Sequence, residues 1–182
     1  MTEGIPASDA LTVWFTGLSG AGKTTIAQAV YEDLSARGLK IELLDGDVVR
    51  TQLSKDLGFR KEDRDENIRR LGFIAQLLNR NGIIVLVSAI SPYRAVRDEV
   101  RKAIANFLEV YVNASLEVCE GRDPKGLYRK ARSGLLTNFA GVSDPYEAPL
   151  IPDVECRTDL ESISESAAAV MKAVESRLRR EK

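Results

Sequence analysis

The sequence predicts a three-layer α/β domain in which helices cover both faces of a mostly parallel, five-stranded sheet. Apolar stretches of strand length alternate with stretches of helical period from one end of the chain to the other. This alternation is typical of parallel strands joined by right-handed crossover helices. No repeat, low-complexity linker or change in composition divides the 182 residues. We therefore expect a single domain over residues 1–182, with residues 1–10 flexible.

The composition limits the possible functions. Hydrophobic residues make up 44% and charged residues 29% of the chain, as in soluble globular proteins, and the net charge of −1 provides no global field for nucleic acid or an anionic membrane. Histidine is absent, which excludes Ser-His-Asp and Cys-His catalysis and argues against a zinc site. Cys119 and Cys156 lack metal-ligand spacing and fit a reduced compartment.

The ends of the chain and its apolar stretches suggest a cytoplasmic enzyme or a cytoplasmic piece of a larger one. Residues 1–10 contain no basic region followed by an apolar stretch, so they do not resemble a signal peptide. No apolar run approaches the roughly 20 residues that span a bilayer. We therefore expect neither a membrane nor a nucleic acid as partner.

Five elements are expected in the first half of the chain. Residues 11–16 (LTVWFT) have the apolar character of a buried strand, and the following helix ends at Gly38, a residue often found after helix C-termini. The elements, in order, are strand 11–16, helix 23–36, strand 40–44, and helices 48–53 and 63–80.

The second half continues the alternation. Residues 83–89 (IIVLVSA) form the most apolar stretch, and we expect this strand to be central because parallel strands are covered on both faces. Residues 134–152 show little regular pattern, and Asp159 is placed to cap the last helix. The elements, in order, are strand 83–89, helix 93–105, strand 107–113, helices 116–121 and 124–133, strand 154–157, and a helix from Asp159 to about Arg179.

The first strand leads into the sequence GLSGAGKT at 17–24, which satisfies the pattern G-x-x-x-x-G-K-[ST] of a phosphate-binding loop, or P-loop. Glycines let a polyphosphate approach the backbone N–H groups, and the next helix directs its positive end at the same oxygens. Lys23 supplies a cation for the β- and γ-phosphates, and the Thr24 hydroxyl can ligate Mg²⁺. The alternative is a plain strand-to-helix turn, but the strand–loop–helix context favours a P-loop NTPase/kinase fold. The predicted ATP-binding residues here are Gly17, Leu18, Ser19, Gly20, Ala21, Gly22, Lys23, Thr24 and Thr25.

The sequence Asp45-Gly46-Asp47 follows the second strand and should lie near the phosphates, since the carboxyl ends of parallel strands share one edge. We assign Asp47 to orienting an acceptor hydroxyl for attack on the γ-phosphate. Asp45 would then hold the waters of Mg²⁺ or position the loop. The alternative is a solvated Asp-Gly turn.

Two charged stretches complete the candidate site. In residues 59–70, Arg64 and Asn67 can face one ligand while Phe59 offers a flat surface to a base; the alternative is a solvated helix face. Residues 122–132 contain five cations and would suit a basic lid over phosphates, spanning about 121–143; the alternative is an exposed basic helix.

Taken together, these stretches resemble the adenylylsulfate kinases (APS kinases) over about 11–159. The resemblance is carried by WFTGLSGAGKTT, LLDGD followed by Arg50, LGF at 57–59, DRDENIRR at 63–70, AISPYR at 89–94, CEGRDPKGLYRKARSG at 119–134, Asn138-Phe139, and DPYEAP at 144–149. This ordered combination is more specific than the P-loop alone.

The resemblance implies transfer of phosphate from ATP to the 3′-hydroxyl of adenosine 5′-phosphosulfate (APS), with Mg²⁺. Phe59 and Phe139 would sandwich the APS adenine, and the ATP adenine would lie near Arg122 and the turn at Thr158. Family members are commonly dimers, and some are fused to an ATP sulfurylase. By this resemblance we expect a homodimer and a possible functional or fused ATP sulfurylase as partners. The positions that would bind APS are Asp47, Arg50, Phe59, Arg64, Asn67, Ile90, Ser91, Lys125, Asn138 and Phe139.

Ser91 has two possible roles by this resemblance. It could relay the phosphate as a phosphoserine, or it could be a pocket residue beside direct transfer assisted by Asp47; we favour direct transfer. The sequence also departs from the family pattern. Val48 stands where an Asn commonly follows DGD, Phe73 and Leu135 replace acidic residues, and Ala140 replaces a Thr.

Other functions remain open at this point. The same fold could phosphorylate another small hydroxyl compound, such as gluconate, shikimate or a nucleoside, although two aromatic residues suit a base better than a small acid. A GTPase-like switch would need an Asn-Lys-x-Asp motif, which the chain lacks. A non-catalytic binder is disfavoured by the presence of Lys23, Thr24 and Asp47.

Overall fold

The computed structural model describes residues 10–179, so the expectation that residues 1–10 are flexible falls almost entirely outside the described part of the chain. Twelve elements alternate along it, as the sequence predicts. They are β1 (Thr12–Thr16), α1 (Lys23–Ala36), β2 (Ile41–Asp45), α2 (Gly46–Leu53), α3 (Lys61–Asn79), β3 (Ile84–Ser88), α4 (Arg94–Ala103), β4 (Phe107–Asn113), α5 (Leu116–Arg122), α6 (Leu127–Arg132), β5 (Val154–Arg157) and α7 (Ile163–Arg179).

The five strands form one sheet in the order β2-β3-β1-β4-β5, and every neighbouring pair is parallel. The expectation that the strand at 83–89 is central is therefore wrong, because β1 occupies the middle of the sheet and β3 lies beside it. Apolar character does not separate the two strands, since β1 and β3 are both buried along their full length.

Two groups of helices cover the sheet and make the three layers. On one face, α1 and α7 pack together and bury Ile26, Val30 and Val170 against β1 and β4. On the other face, α3 and α4 pack together and bury Leu71 and Val100 against β1 and β3. The crossovers thus place the sheet between two helical layers, with its carboxyl edge left open for a ligand.

The last helix begins later than the sequence analysis expects. The capping residue is Ser162, whose hydroxyl accepts from the Glu165 amide at 3.2 Å, while the Glu165 carboxylate accepts from the Ser162 amide at 2.8 Å. This reciprocal pair is a capping box with the spacing S-x-x-E. The prediction of Asp159 as the cap is therefore wrong, although Ser162 and Glu165 were readable in the sequence.

The basic helix of the lid is also shorter than predicted. The chain turns at Asp123, whose carboxylate accepts from the amides of Tyr128 and Arg129 at 3.0 and 3.1 Å, and α6 starts only at Leu127. Pro124 and Lys125 therefore lie in a turn before the helix, which leaves the Lys125 side chain free to reach across the carboxyl edge of the sheet.

The two cysteines are free thiols inside the core. Cys119 and Cys156 are unlinked and fully buried, and burial raises the pKa of both thiols, that of Cys156 to about 11. Thiols that stay protonated react slowly. Among the helices in residues 10–179, none has both the length and the hydropathy needed to cross a bilayer.

Candidate active site

A cavity of about 710 Å³ lies along the carboxyl edge of the sheet and joins the P-loop to the charged stretches at 59–70 and 122–132. Most of the predicted residues from both stretches line it, so the nucleotide and acceptor regions face one space. The predicted residues that line it are Ser19, Gly20, Ala21, Gly22, Lys23, Thr24, Thr25, Asp45, Asp47, Arg50, Phe59, Arg64, Asn67, Ile90, Ser91, Arg122, Lys125 and Phe139.

The glycines of the P-loop are required by close contacts. A β-carbon on Gly17 would lie 2.3 Å from the Val112 carbonyl oxygen, which is backbone and cannot move aside. Gly22 has a φ of +104° and faces Thr158, and it leads directly into α1. The loop therefore presents bare backbone toward the cavity at the positive end of a helix, which is the arrangement that binds polyphosphates.

Lys23 is almost fully enclosed beneath the loop. Its side chain is 8% exposed, and Nζ donates to the Leu18 carbonyl at 2.8 Å. Burial lowers the pKa of Lys23 from 10.5 to about 8, an effect that the nearby Asp47 carboxylate partly offsets. A cation held at such desolvation cost is stabilised when a phosphate enters, because opposite charge favours the protonated form.

Thr24, Asp45 and Ser88 form a small oxygen cluster at the start of α1. The Thr24 hydroxyl lies 2.9 Å from Asp45 Oδ2 and 3.0 Å from the Ser88 hydroxyl. Asp45 uses its other oxygen, Oδ1, to cap α2 by accepting from the amides of Asp47 and Val48. A hydroxyl and a carboxylate beside the phosphate loop are hard oxygen donors of the kind that Mg²⁺ takes together with water and phosphate.

Asp47 projects from the first turn of α2 into the mouth of the cavity and forms an ion pair with Lys125 of the lid. The two side chains are 67% and 55% exposed. The pair joins the end of β2 to the turn before α6, so a lid cation stands over the residue assigned to the acceptor hydroxyl.

Phe59 lies at the outer side of the cavity among cations. The Arg50 guanidinium stands 4.4 Å from the ring centroid and the Arg64 guanidinium 6.0 Å, in cation–π contact. The ring itself is 51% exposed. An aromatic face of this kind, left half open beside two fixed cations, can stack a planar base and bind anionic groups.

Phe139 differs from Phe59 because it is part of the core. It is 4% exposed and meets Tyr128 edge to face at a centroid distance of 5.0 Å. Its backbone neighbour Asn138 accepts through its carbonyl from Arg64, which ties the lid to α3. Phe139 thus contributes a wall of the cavity, while Phe59 contributes its open side.

Asn67 is a lining residue with an unpaired, buried polar atom. The residue is 7% exposed and lines the cavity, and its Oδ1 has no hydrogen-bond partner within the described chain. A buried carbonyl-type acceptor without a partner costs stability.

Arg122 and Thr158 close the far end of the P-loop. Arg122 donates to the carbonyls of Gly20 and Thr158 at 3.2 and 2.6 Å, and the Thr158 hydroxyl donates to the Ala21 carbonyl at 2.6 Å. These bonds fix the base of the lid against the phosphate loop and leave a flat guanidinium beside the cavity.

The Ser91 hydroxyl is turned into the core. Its side chain is 1% exposed, and the hydroxyl accepts from the Trp14 indole at 3.1 Å and donates to the Thr16 hydroxyl at 3.0 Å. Ser91 reaches the cavity wall, but its oxygen is engaged from both sides. This arrangement favours a pocket residue over a nucleophile.

Three predicted residues do not line the cavity, namely Gly17, Leu18 and Asn138. Gly17 and Leu18 support the loop from behind, through the contact with Val112 and the bond to Lys23. Asn138 holds Arg64 through its backbone. Val48, the departure beside Asp47, is 59% exposed and does not line the cavity either.

Sequence reasoning did not single out several lining residues, among them Ser88, Pro92, Pro124, Leu136, Glu161 and Ile163. Ser88 and Pro92 flank the stretch AIS at the end of β3, so their position after a strand was a usable signal. Glu161 lies just before α7 and Ile163 is its first residue, and no local pattern in the sequence brings that helix to the P-loop.

The fold and this cavity define a P-loop phosphotransferase with a built-in pocket for an acceptor. Comparison with known proteins narrows the class: the sequence model of the family "Adenylylsulphate kinase" matches residues 9–157. The chain belongs to the adenylylsulfate kinase family.

Individual relatives agree with this assignment. An adenylyl-sulfate kinase of Picosynechococcus sp. is 65% identical over 162 residues, covering 89% of this chain and 92% of that protein. Among solved structures, an APS kinase of Mycobacterium tuberculosis in complex with AMPPNP and APS is 46% identical with a TM-score of 0.87, covering 91% of this chain and 98% of that one. A hexameric APS kinase of Thiobacillus denitrificans is 34% identical with a TM-score of 0.68, covering 92% and 29%.

Proposed function

We propose that this chain transfers the γ-phosphate of ATP to the 3′-hydroxyl of APS, giving ADP and 3′-phosphoadenosine 5′-phosphosulfate (PAPS). The observation that carries the proposal is the single cavity that joins the P-loop to the pocket of Phe59, Arg50 and Arg64, with Asp47 at its mouth. An aromatic face beside two arginines suits a ligand that carries both a base and an anionic tail, as APS does.

The donor half of the site binds ATP through backbone N–H groups and the Lys23 side chain. The amides of the P-loop and the N-terminus of α1 receive the phosphate oxygens, and Lys23 reaches them from beneath the loop. Arg122 and Thr158 border the nucleotide at the base of the lid. Thr24 and Asp45 are the residues that would hold Mg²⁺, which when bound offsets negative charge on the β- and γ-phosphates.

In the acceptor half, Asp47 accepts the proton of the 3′-hydroxyl and aims its oxygen at the γ-phosphorus, after Lys125 has left the carboxylate. Phosphoryl transfer needs little beyond positioning and charge stabilisation. The lid, about residues 121–143, excludes water from the reaction and so limits plain hydrolysis of ATP. We include Asn138 in this substrate region because its carbonyl holds Arg64.

Direct transfer fits this site better than a relay through Ser91. A relay would require the Ser91 oxygen to leave both Trp14 and Thr16 and to turn out of a buried position. Ser91 then serves the reaction as part of the pocket wall.

Assembly and location are part of the same proposal. We infer a homodimer in the cytoplasm and allow for action beside an ATP sulfurylase, which would supply APS. The support for self-association is the hexameric relative described above; sedimentation of the purified chain measures it directly.

A coupled assay for ADP release tests the function, with Mg²⁺-ATP in the presence and absence of micromolar APS. We expect strong APS-dependent turnover and PAPS as the product. Stimulation by gluconate, shikimate or a nucleoside in place of APS would contradict the substrate assignment and keep the kinase. Tighter binding of GTP than ATP, without turnover, would favour a nucleotide-dependent switch.

A further inference from the structure

The loop between β3 and α4 contains a backbone conformation that needs support. Ser91 has a φ of +41°, in the left-handed region that residues with a β-carbon rarely adopt. It lies between Ile90 and Pro92, and all three line the acceptor side of the cavity. A conformation of this kind persists only where the surroundings hold it.

One of the groups bound to this turn is Arg97, which lies one turn into α4. The Arg97 guanidinium is buried, with the residue 2% exposed, and donates through Nη1 to the Ser91 carbonyl at 2.6 Å. Nη2 donates to the Glu147 carbonyl at 2.6 Å, and Nε donates to the Glu109 carboxylate at 3.1 Å. One planar cation thus fixes a loop, a strand and the segment that follows the lid.

That segment is bound to the same loop by further contacts. The Glu147 amide donates to the Pro92 carbonyl at 2.8 Å, and the Glu147 carboxylate accepts from the Arg94 amide at 2.8 Å. The Tyr146 hydroxyl lies 3.0 Å from the Thr16 hydroxyl, which also contacts Ser91. Arg97 therefore stands at the junction between the acceptor wall and the chain leaving the lid, although it does not itself line the cavity.

We propose that Arg97 is a positioning residue for the acceptor: it holds the Ser91 turn, and through it the Ile90–Pro92 wall, in the shape that receives the phosphate acceptor. The inference rests on the proposed function. It assigns no contact between Arg97 and either nucleotide. The ATP side of the cavity is built by the P-loop, Arg122 and Thr158, none of which Arg97 touches.

The chain offers a matched control on the same helix. Arg101 lies one turn further along α4 and donates to the other oxygen of the same Glu109 carboxylate at 3.2 Å and to Asp153 at 2.9 Å. It makes no contact with Ser91 or Glu147. Lysine at either position keeps a positive charge beside Glu109 but loses the planar fork, so Arg97→Lys and Arg101→Lys differ in the support they give to the Ser91 turn.

Steady-state kinetics give the first readout. We expect Arg97→Lys to raise KM for the acceptor about 10-fold or more while KM for ATP changes less than about twofold, because displaced contacts at one wall affect one substrate. Arg101→Lys should leave both constants near those of the wild type. The double variant Arg97→Met/Glu109→Met removes both buried charges and should show the same acceptor defect. It is the control for a defect that arises only because Glu109 has lost its charged partner.

The second readout does not depend on the substrate. Trp14 is the single tryptophan of the chain, and its buried indole donates to the Ser91 hydroxyl. Its emission maximum and its quenching by acrylamide therefore report on the Ser91 turn. We expect both to change in Arg97→Lys and to stay unchanged in Arg101→Lys.

Unchanged fluorescence and an acceptor KM within about twofold of Arg101→Lys, in a variant that unfolds cooperatively, would overturn the role of Arg97. An equal rise of both KM values would do the same. If the wild type shows no turnover with APS, the proposed function fails, and the fluorescence of the two variants still decides whether Arg97 holds the turn.

Discussion

Lys125 and Asp47 face each other across the mouth of the cavity and form an ion pair, although 78 residues separate them in the sequence. Lys125 belongs to the turn before α6, and Asp47 to the first turn of α2. The pair therefore connects the lid to the carboxylate that we propose serves the acceptor. Under the proposed function, an acceptor that enters this space would take the place of Lys125 at Asp47, and the lysine would become available to an anionic group of the ligand.

Loss of the Asp47 carboxylate should stop the chemistry without unfolding the protein. We expect Asp47→Asn to lower APS-dependent turnover about 100-fold or more, as loss of a general base typically does. Because Asp47 is 67% exposed, stability should stay near that of the wild type. ADP release and urea denaturation measure the two effects, and Asp33→Asn, in an exposed ion pair on α1, is the control. Near-normal turnover in Asp47→Asn would refute the assignment.

Loss of the lid cation should weaken acceptor binding. In Lys125→Met we expect a higher KM for APS, with a stability change below about 1 kcal/mol because the ion pair is exposed. Lys130→Met changes another exposed lid lysine that lies outside the cavity lining and should leave KM for APS unchanged. Equal effects of the two variants would mean that the net charge of the lid matters and the contact with Asp47 does not.

Lys23 should make ATP binding dependent on pH. Its pKa is about 8 in the free protein, because burial outweighs attraction to Asp47, so near pH 9 the amine is mostly neutral. Bound polyphosphate favours the protonated form, and ATP binding should therefore take up a proton near pH 9 and almost none at pH 6.5. Calorimetry in buffers of different ionisation enthalpy measures this uptake. Lys23→Met should abolish it; uptake that persists would assign the proton to another group.

Lys23 should also make the free energy of unfolding depend on pH, with the opposite sign to a lysine whose pKa is raised by an ion pair. The unfolded chain keeps the usual pKa of 10.5, so between pH 8 and 10.5 it binds more protons at this residue than the folded chain does. The contribution of Lys23 to the free energy of unfolding should therefore rise with pH across that window. Comparison of wild type and Lys23→Met at pH 7.5 and 10 isolates it.

Substitution of two exposed phenylalanines distinguishes base stacking in the cavity from a general effect of surface hydrophobicity on APS binding. Phe59 lines the cavity and is 51% exposed, while Phe73 lies on α3, is 58% exposed and lines no part of the cavity. Because stacking of a base is worth about 1–3 kcal/mol, Phe59→Ala should raise KM for APS about 5- to 100-fold. Phe73→Ala should leave it unchanged. Isothermal titration with APS provides the same comparison for binding alone.

Gly17 should tolerate no side chain. Gly38→Ala, which adds a methyl group with no atom within 4 Å at a φ of +77°, should cost about 1 kcal/mol of backbone strain. In Gly17→Ala the methyl group would meet the Val112 carbonyl at 2.3 Å at a φ of +153°, so that contact and backbone strain together should cost about 1–3 kcal/mol more than Gly38→Ala. Urea unfolding compares the two, and equal losses would show that the contact with Val112 relaxes freely.

Local patterns were sufficient for most of the fold and for the P-loop half of the cavity, while the acceptor half also needed the family resemblance. The P-loop is a continuous motif whose function depends on neighbouring residues. Strands β4 and β5 have the bounds that the sequence predicts, 107–113 and 154–157. The family resemblance indicated Arg50, Phe59 and Arg64 together, and the structure brings their side chains around one ring.

What the sequence could not provide depends on long-range geometry. The middle position of β1 is set by pairing with both β3 and β4, and hydrophobicity cannot distinguish it from β3. The Ser91 turn and its support by Arg97 join residues from a loop, a helix and the irregular segment after the lid. The cap at Ser162 is a different case, because its S-x-x-E spacing with Glu165 is present in the sequence itself.

The hydrogen bond from Thr158 to Ala21 spans 137 residues of sequence, and this has a consequence for synthesis on the ribosome. The P-loop is translated early, but Arg122, Thr158 and the start of α7, which border it, are made much later. Strand β1 also has no neighbour on either side until β3 and then β4 have been synthesised. A nascent chain therefore has its phosphate loop through most of translation without the residues that complete the nucleotide site, and the complete site forms only after β5 and the turn that follows it have left the exit tunnel.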